Sequence, residues 1–335
     1  MTDNSTTTSS VDLNESRAPL LGAVAGLGAV LGVIAVALRF YTRVVIVGKV
    51  FHSDYCILAA LVSVVAFTIC NGIGIGYGFG RHGAAVTPEE ITAQLKTTIG
   101  VIFFYHLSHL LIKSSILLQY IRICVLPVEK RICYVVLALV IAEGFTWIVV
   151  LFLTCIPFSA MWDPGLPGAK CIDNTAGFYA CAATIISADV AILVIPPFLL
   201  RHSSIPWYQK LLLGMVLALG GAATIASIFR IRVIYMATKG TDPAWDAAPN
   251  GLLALIEVDL GLICSCVATL MPLFRRWHPG IWPRRLRHRG GNRLETVSDL
   301  NCVCSESKST ASEDRGGKTD VGDAVGSGTK LGPEQ

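Results

Sequence analysis

The chain has 335 residues, of which 53% are hydrophobic and only 15% are charged, and its formal net charge is +4. Soluble domains carry about 25% charged residues, so the composition excludes an ordinary soluble protein and predicts an integral membrane protein. We expect membrane lipids as its surroundings and no nucleic acid partner.

Seven stretches are apolar enough to cross a bilayer as helices, which takes roughly 20 residues each. In chain order they cover residues 18–38, 55–75, 97–121, 132–155, 177–200, 211–229 and 251–274. Helices are expected because lipid leaves no tolerable unpaired backbone group, and a barrel would show alternating segments of about ten residues instead. The predicted fold class is therefore all-α: a polytopic membrane protein with a seven-transmembrane helix bundle over residues 18–274.

The segments outside the spans predict an orientation. Their basic residues concentrate on the side that carries the C terminus, so the positive-inside rule predicts an N-out/C-in topology. Residues 1–17 are then a lumenal or extracellular tail, in which Asn4 and Asn14 begin candidate N-glycosylation sequons. Residues 275–335 are predicted to form a basic juxtamembrane segment and a disordered cytoplasmic tail. We expect a multi-pass protein of the plasma membrane or an endomembrane.

Two cysteines, Cys155 and Cys171, flank the predicted loop between the fourth and fifth spans. In an N-out topology this loop lies on the oxidising side of the membrane, where the two residues are candidates for a disulfide. Two separate thiols are the alternative.

Several ionisable residues fall inside the predicted spans, where they are energetically costly and tend to face the bundle interior. They are His106, His109, Lys113, Glu143, Asp189, Glu257 and Asp259, with Arg230 near the end of the sixth span. In the third span, the helical period places His109, Lys113 and Tyr120 within about 60° of His106. We therefore expect one inward-facing polar stripe on this helix.

The depths of these residues in the spans, at about 1.5 Å per residue, favour two buried pairs. These are Lys113 with Asp189 and Arg230 with Glu257. Three roles stay open for such a polar core: fixing helix register, binding a ligand or ion, and catalysis. His106 and His109 have a spacing that suits zinc, but a catalytic zinc needs about three protein ligands. We expect no metal site and no enzymatic activity.

Short motifs then occur in a specific order along the chain. In sequence they are LRFYTR, SDY, YGFGRH, KSSILLQYIRI, CIPFSAMWDPGLPGAKC, ISADVAILVIPP, SIFRIR and IEVDLGLIC. Over about residues 15–277 this order resembles the fungal rhodopsin-domain integral membrane proteins, a seven-helix family that includes the satratoxin-cluster membrane protein. The resemblance implies a receptor-like protein linked to a secondary-metabolite gene cluster of the mycotoxin type.

Two functions remain open at this point. One is a receptor with a small-molecule ligand and a cytoplasmic signalling partner, which would meet Tyr120 and Arg122 at the inner end of the third span. The alternative is a small-solute or proton-coupled transporter that uses Lys113 and Asp189 near the midplane. A retinal protein needs a Schiff-base lysine in its seventh helix, and residues 251–274 contain no lysine. We therefore expect no retinal and no other cofactor.

Overall fold

The computed structural model describes residues 16–124, 126–163, 165–172, 174–199, 207–239, 243–267, 269–270 and 273. Asn4 and Asn14, and the predicted tail at 275–335, lie outside the described residues.

The described chain is dominated by long α-helices. They are α1 Ala18–Tyr41, α2 His52–Gly76, α3 Pro88–Ile123, α4 Pro127–Leu153, α5 Asn174–Leu199, α6 Trp207–Lys239 and α7 Pro243–Val267. A π-helical segment, Thr42–Val47, extends α1 and ends at Gly48, whose φ of 71° places it in the left-handed region that glycine tolerates best. Two short 3₁₀ turns lie at Gly83–Ala85 and Phe158–Met161.

Local signals explain where α3 and α4 begin. Thr87 caps α3, accepting a hydrogen bond from the Glu90 backbone N–H at 3.4 Å, while the Glu90 carboxylate accepts one from the Thr87 N–H at 2.8 Å. This reciprocal capping box is followed by Pro88, whose fixed φ suits the first helical position. In α4, Pro127 takes the same position and Glu129 accepts from the Leu126 N–H at 3.3 Å.

The helices form a closed bundle in chain order. Successive helices from α1 to α7 pack against each other, and α1 also packs on α7, so the ring closes. The third and seventh helices contact one another as well, which places both at the centre of the bundle. Below, the N side means the end of the bundle where α1 begins, and the C side means the end where α1 stops.

Close approach of α1 and α7 depends on glycine. A Cβ built on Gly28 would lie 1.7 Å from the Asp259 Oδ2, and one on Gly32 would lie 2.8 Å from a Leu262 methyl. Small residues let helix backbones approach in this way inside membranes. Gly26 has nothing within 4 Å of its built Cβ, so it does not take part in this contact.

The bundle is apolar on its outer surface. Large exposed side chains occur all around it, among them Leu27, Val62, Leu139, Phe145 and Phe229. Among the described residues, seven helices are long and apolar enough to cross a membrane. The prediction of an all-α, polytopic membrane protein is confirmed.

The limits of several helices differ from those of the predicted spans. The third helix begins at Pro88 rather than residue 97, because its first turns are capped but too polar to register as membrane-spanning. The seventh begins at Pro243 and ends at Val267, whereas the apolar run suggested 251–274. Its first two turns carry Trp245 and Asp246, which lowered the local hydrophobicity.

A small two-stranded ribbon closes the segment between α4 and α5. Strand β1, Cys155–Ile156, pairs antiparallel with β2, Lys170–Cys171. In the structure, a disulfide joins Cys155 to Cys171 across this ribbon. The ribbon lies on the N side, where α4 ends and α5 begins.

Candidate functional site

Lys113 of α3 and Asp189 of α5 face each other inside the bundle. The Lys113 Nζ lies 3.1 Å from the Asp189 Oδ1 and donates a hydrogen bond to the Ile185 carbonyl at 3.2 Å. The two side chains are 6% and 17% exposed, so the pair is largely withdrawn from its surroundings. A lysine at this depth needs such a partner, because an unpaired charge in a low-dielectric interior is costly.

Arg230 of α6 and Glu257 of α7 form a second pair on the same side of α3. The Arg230 Nη1 lies 3.3 Å from the Glu257 Oε2, and its Nε donates to the Asn250 side-chain oxygen at 2.9 Å. The other carboxylate oxygen of Glu257, Oε1, accepts a 2.6 Å bond from the Ser227 hydroxyl. The carboxylate therefore has partners on both oxygens.

Tyr105 links this second pair to α3. Its hydroxyl donates to the Glu257 Oε2 at 3.0 Å and also contacts the Arg230 Nη1. The Arg230 guanidinium lies over the Tyr105 ring, 4.5 Å from its centroid. Tyr105 was not singled out from the sequence because aromatic residues are common in apolar helices, and it precedes the predicted polar stripe by one residue.

His109 lies between the two pairs. Its Nε2 is 3.8 Å from the Glu257 Oε1, beyond hydrogen-bond distance, and this buried nitrogen has no hydrogen-bond partner among the described residues. Its ring packs on Tyr105 with the centroids 4.5 Å apart. We call Tyr105, His109, Lys113, Asp189, Arg230 and Glu257 the central polar site.

A cavity of about 70 Å³ opens beside the central polar site, between α3, α5, α6 and α7. Its polar lining includes His109, Lys113, Asp189 and Glu257, together with Tyr120 and Thr224. Ligand pockets usually enclose about 300–1,000 Å³, so this space has room only for water or for one small polar group of a larger molecule.

The predicted residue His106 lies on the other side of the α3 stripe. Its Nε2 is 3.9 Å from the Cys181 sulfur, and its ring is nearly parallel to that of Trp147 with the centroids 6.2 Å apart. His106 and His109 therefore face different neighbours. Among the residues that the structure describes, no three His, Cys, Asp or Glu side chains converge as metal ligands.

Asp259 does not join the central polar site. It lies on the face of α7 that packs on α1, against Gly28, because two residues along a helix turn the side chain by about 200° relative to Glu257. Sequence reasoning grouped the two acids by their depth, which ignores the helical face.

A lipid-facing groove lies between α4 and α5. It encloses about 430 Å³, and its polar lining includes Glu143, Thr146, Trp147, Thr184 and Ser187. The indole N–H of Trp147 donates to the Thr184 hydroxyl at 2.9 Å, which ties the two helices together. Polar side chains that face a bilayer are uncommon, so this groove differs from the rest of the outer surface.

Residues 38–276 match the fungal rhodopsin domain. The chain belongs to the fungal rhodopsin domain family. This confirms the resemblance that the order of the sequence motifs predicted.

Three relatives of this fungal rhodopsin-domain protein carry informative names. A Metarhizium anisopliae protein named as polyenoic acids biosynthesis gene cluster protein Ba17b is 30% identical, over 79% of this chain and 76% of the relative. Fugralins biosynthesis cluster protein 2 of Gibberella zeae is 27% identical, over 38% of this chain and 32% of its own length. Receptor GIN3 of Arthrobotrys oligospora is 26% identical, over 74% of this chain and 60% of its own length. The chain therefore spans about a third of the length of the Gibberella zeae protein and three fifths of the length of Receptor GIN3.

The fungal rhodopsin domain also holds a buried arginine that the sequence analysis missed. Arg39 of α1 is 0% exposed and donates to the Asp54 Oδ1 through Nε at 3.0 Å and Nη2 at 2.8 Å. Its Nη1 donates to the Ser265 carbonyl of α7 at 2.8 Å. We call these residues, with Ser53, Ser115 and Gln119, the Arg39 cluster.

The Arg39 cluster ties α1, α2, α3 and α7 together on the C side. Gln119 donates to the Ser265 carbonyl at 3.4 Å, and Ser115 donates to the Ser53 carbonyl at 2.9 Å. Arg39 directly follows the predicted first span, 18–38, so it was not among the ionisable residues expected inside the spans, although Asp54 beside the next span was an available signal. Such a network of buried hydrogen bonds holds helix ends in one arrangement.

Proposed function

We propose that this protein is a receptor-like membrane protein that binds a lipophilic small molecule carrying a polar group. The groove between α4 and α5 holds the body of the ligand, and the central polar site takes its polar group. The protein acts without retinal and is not an enzyme. The observation that carries the proposal is that neighbouring cavities share lining residues all the way from the groove to the central polar site.

A narrow space between α3 and α4 lies between the groove and the cavity and shares lining residues with both. Glu143 and Trp147 line both the groove and this space, and His109 and Lys113 line both this space and the cavity. The space itself is only about 10 Å³, roughly the room for one water molecule. A ligand in the groove thus lies one side-chain layer away from the Lys113–Asp189 pair.

The chemistry of the lining indicates the class of ligand. The groove opens where lipid surrounds the bundle, so a molecule that partitions into membranes reaches it directly. Glu143, Thr146 and Ser187 offer hydrogen-bonding groups inside an otherwise apolar surface. A few polar groups in an apolar pocket fix the orientation of a ligand and give specificity. The names of two relatives connect them with biosynthesis clusters, which supports a secondary metabolite as the ligand.

The C side favours a receptor over a transporter. Alternating access requires both ends of a transporter to open in turn. The Arg39 cluster joins four helices at the C side through buried hydrogen bonds, which resists such opening. The name of a relative, Receptor GIN3, gives further support.

The orientation that we propose is N-out/C-in, in the plasma membrane or an endomembrane. The disulfide between Cys155 and Cys171 lies on the N side, and disulfides persist in oxidising compartments. The C side then meets the cytoplasm, where the end of α3 offers a surface to a signalling partner.

Two observations support a protein without retinal chemistry. Residues 243–267, which form α7, contain no lysine for a Schiff base. Lys113 lies on α3 and its ammonium is held by Asp189 at 3.1 Å.

A proton-coupled transporter is the second candidate. Its support is the Lys113–Asp189 pair beside a polar cavity, since paired charges at this depth often mark ion pathways. Flux of protons or small solutes into liposomes, abolished by Asp189→Asn, would establish this function instead.

The receptor proposal is tested with purified protein in nanodiscs together with a heterotrimeric fungal G protein. Fractions of an organic extract from a fungal culture are added, and nucleotide exchange on the G protein is measured. We expect one or more fractions to accelerate exchange with wild-type protein and to have no effect with Glu143→Leu. Equal stimulation without the membrane protein, or liposome flux that needs Asp189, contradicts the proposal.

A further inference from the structure

Three arginines and one aspartate meet on the C side, which leaves an excess of positive charge. Arg39 and Arg43 come from α1 and its π-helical extension, and Arg122 comes from the last turn of α3. Asp54 at the start of α2 is the acid among them. In the described part of this cluster, one carboxylate faces three guanidinium groups.

The acceptors of Asp54 are already occupied. Its Oδ1 accepts two hydrogen bonds from Arg39, and its Oδ2 accepts one from the Phe51 N–H at 3.0 Å. The Arg43 Nε lies 3.7 Å from the Oδ1, too far for a hydrogen bond. Asp54 is hydrogen-bonded to Arg39 and lies only within ion-pair distance of Arg43, so among the described residues its single negative charge leaves two positive charges in excess.

Phe51 holds these two guanidinium groups near each other. The Arg122 Cζ lies 3.2 Å from the centroid of the Phe51 ring, and the Arg43 Cζ lies 5.1 Å from it. The aromatic ring attracts both cations but carries no net charge, so it positions them without neutralising them.

Each of the two arginines has a buried nitrogen without an acceptor. The Arg43 Nε and the Arg122 Nη1 are inaccessible to solvent and have no hydrogen-bond partner among the described residues. The Arg43 side chain is 15% exposed, so it is largely withdrawn from solvent but still open on one side. Two like charges with unused donors around one ring have the composition of an anion site.

We propose that the phosphate of an anionic phospholipid headgroup binds between Arg43 and Arg122. Guanidinium groups bind phosphate oxygens through charge-assisted hydrogen bonds, which Arg43 and Arg122 can make from the parts of their side chains that remain exposed. This site is separate from the central polar site, and the inference does not depend on the receptor function.

The surroundings favour a lipid over a soluble anion. Apolar side chains beside the arginines are exposed, with Val44 at 55%, Val45 at 56% and Ile123 at 64%. These residues lie at the ends of membrane-spanning helices, where headgroups and the first carbons of acyl chains meet a protein. A lipid satisfies both features at once, because its phosphate meets the arginines while its chains cover the valines and Ile123.

The test is titration of the full-length protein in detergent with short-chain phosphatidic acid, followed by native mass spectrometry. We expect Arg43→Gln/Arg122→Gln to weaken phosphatidic acid binding by about 30-fold, since each arginine near a membrane surface is worth roughly fivefold. Arg43→Lys/Arg122→Lys keeps the charges and should retain most of the affinity. Because this variant replaces the same two residues, retained binding would show that the loss in Arg43→Gln/Arg122→Gln does not arise from misfolding.

A matched control removes two other positive charges from the same end of the bundle. Lys49 and Arg131 are exposed, and Lys49→Gln/Arg131→Gln should leave the affinity within about twofold of wild type. Inorganic phosphate and short-chain phosphatidylcholine serve as comparison ligands, and both should bind far more weakly than phosphatidic acid. The proposal is overturned if the Arg43→Gln/Arg122→Gln protein binds phosphatidic acid like wild type, if the control loses as much, or if inorganic phosphate binds equally well.

Discussion

The side chains of Lys113 and Asp189 join α3 to α5 through a contact of 3.1 Å deep in the bundle. One partner without the other would leave a charge in a site that is less than one fifth exposed. Removing one member of a buried pair typically costs about 3–5 kcal/mol, whereas replacing both with apolar side chains of similar volume is often neutral.

The first prediction concerns this pair. Lys113→Ala and Asp189→Ala should each lower the free energy of unfolding by about 3 kcal/mol, because each leaves an unpaired charge. Lys113→Met/Asp189→Leu should recover most of that loss. Thermal unfolding in detergent measures the effect, with Lys49→Ala as an exposed control. Two single variants as stable as wild type would show that the pair does not contribute to stability.

The second prediction concerns the geometry of the Arg39 cluster. Arg39→Lys keeps the charge, but the lysine cannot hydrogen-bond to Asp54 and Ser265 at the same time, because it lacks the planar guanidinium with several N–H donors. We expect a loss of about 2 kcal/mol in the free energy of unfolding, measured in the same assay. Arg131→Lys on the surface is the control. If Arg39→Lys unfolds at the wild-type temperature, the hydrogen-bonding geometry of the guanidinium does not contribute to stability.

The third prediction concerns the contact between α1 and α7. Gly28→Ala would place a methyl group 1.7 Å from the Asp259 carboxylate, so it should destabilise the bundle by about 2 kcal/mol. Gly28→Ala/Asp259→Ala should restore stability, since the second change removes the colliding atoms. Gly26→Ala, two residues away with nothing within 4 Å, should have little effect. Equal losses from Gly26→Ala and Gly28→Ala would contradict the packing described.

These residues also show what sequence reasoning can and cannot reach. Depth along a helix is regular, so the sequence alone was enough to predict the pairing of Lys113 with Asp189 and of Arg230 with Glu257. Depth alone says nothing about the face of a helix, so Asp259 was expected in the same polar core as Glu257, whereas the structure packs it against Gly28 of α1. Arg39 was missed because it lies one residue beyond the predicted first span, 18–38, and was not counted among the ionisable residues expected in a polar core.

The limits of the helices were less predictable for a related physical reason. A hydropathy pattern detects the part of a helix inside the lipid, while capping decides where the helix begins. Thr87 and Glu90 cap α3 well before its apolar run starts. The groove between α4 and α5 was not predicted, because it arises from how two helices pack and not from either sequence alone.

A fourth prediction addresses orientation. Epitope tags at the two termini should behave differently in fungal cells from which the wall has been removed. On protein delivered to the plasma membrane, we expect an antibody to reach an N-terminal tag in intact cells. We expect it to reach a C-terminal tag only after the cells have been permeabilised. The opposite pattern would reverse the proposed N-out/C-in topology. A glycan that the wild-type protein carries and the Asn4→Gln variant lacks would independently support an outer N terminus.

The most direct test of the central polar site uses the variant that keeps stability but lacks the charges. Wild-type protein and Lys113→Met/Asp189→Leu are each mixed with fractions of an organic culture extract, and the shift in unfolding temperature is recorded. A ligand that binds only the folded state raises that temperature. We predict that at least one fraction stabilises wild type by several degrees and leaves the double variant unchanged. Equal stabilisation of both proteins would contradict a ligand-binding role for Lys113 and Asp189.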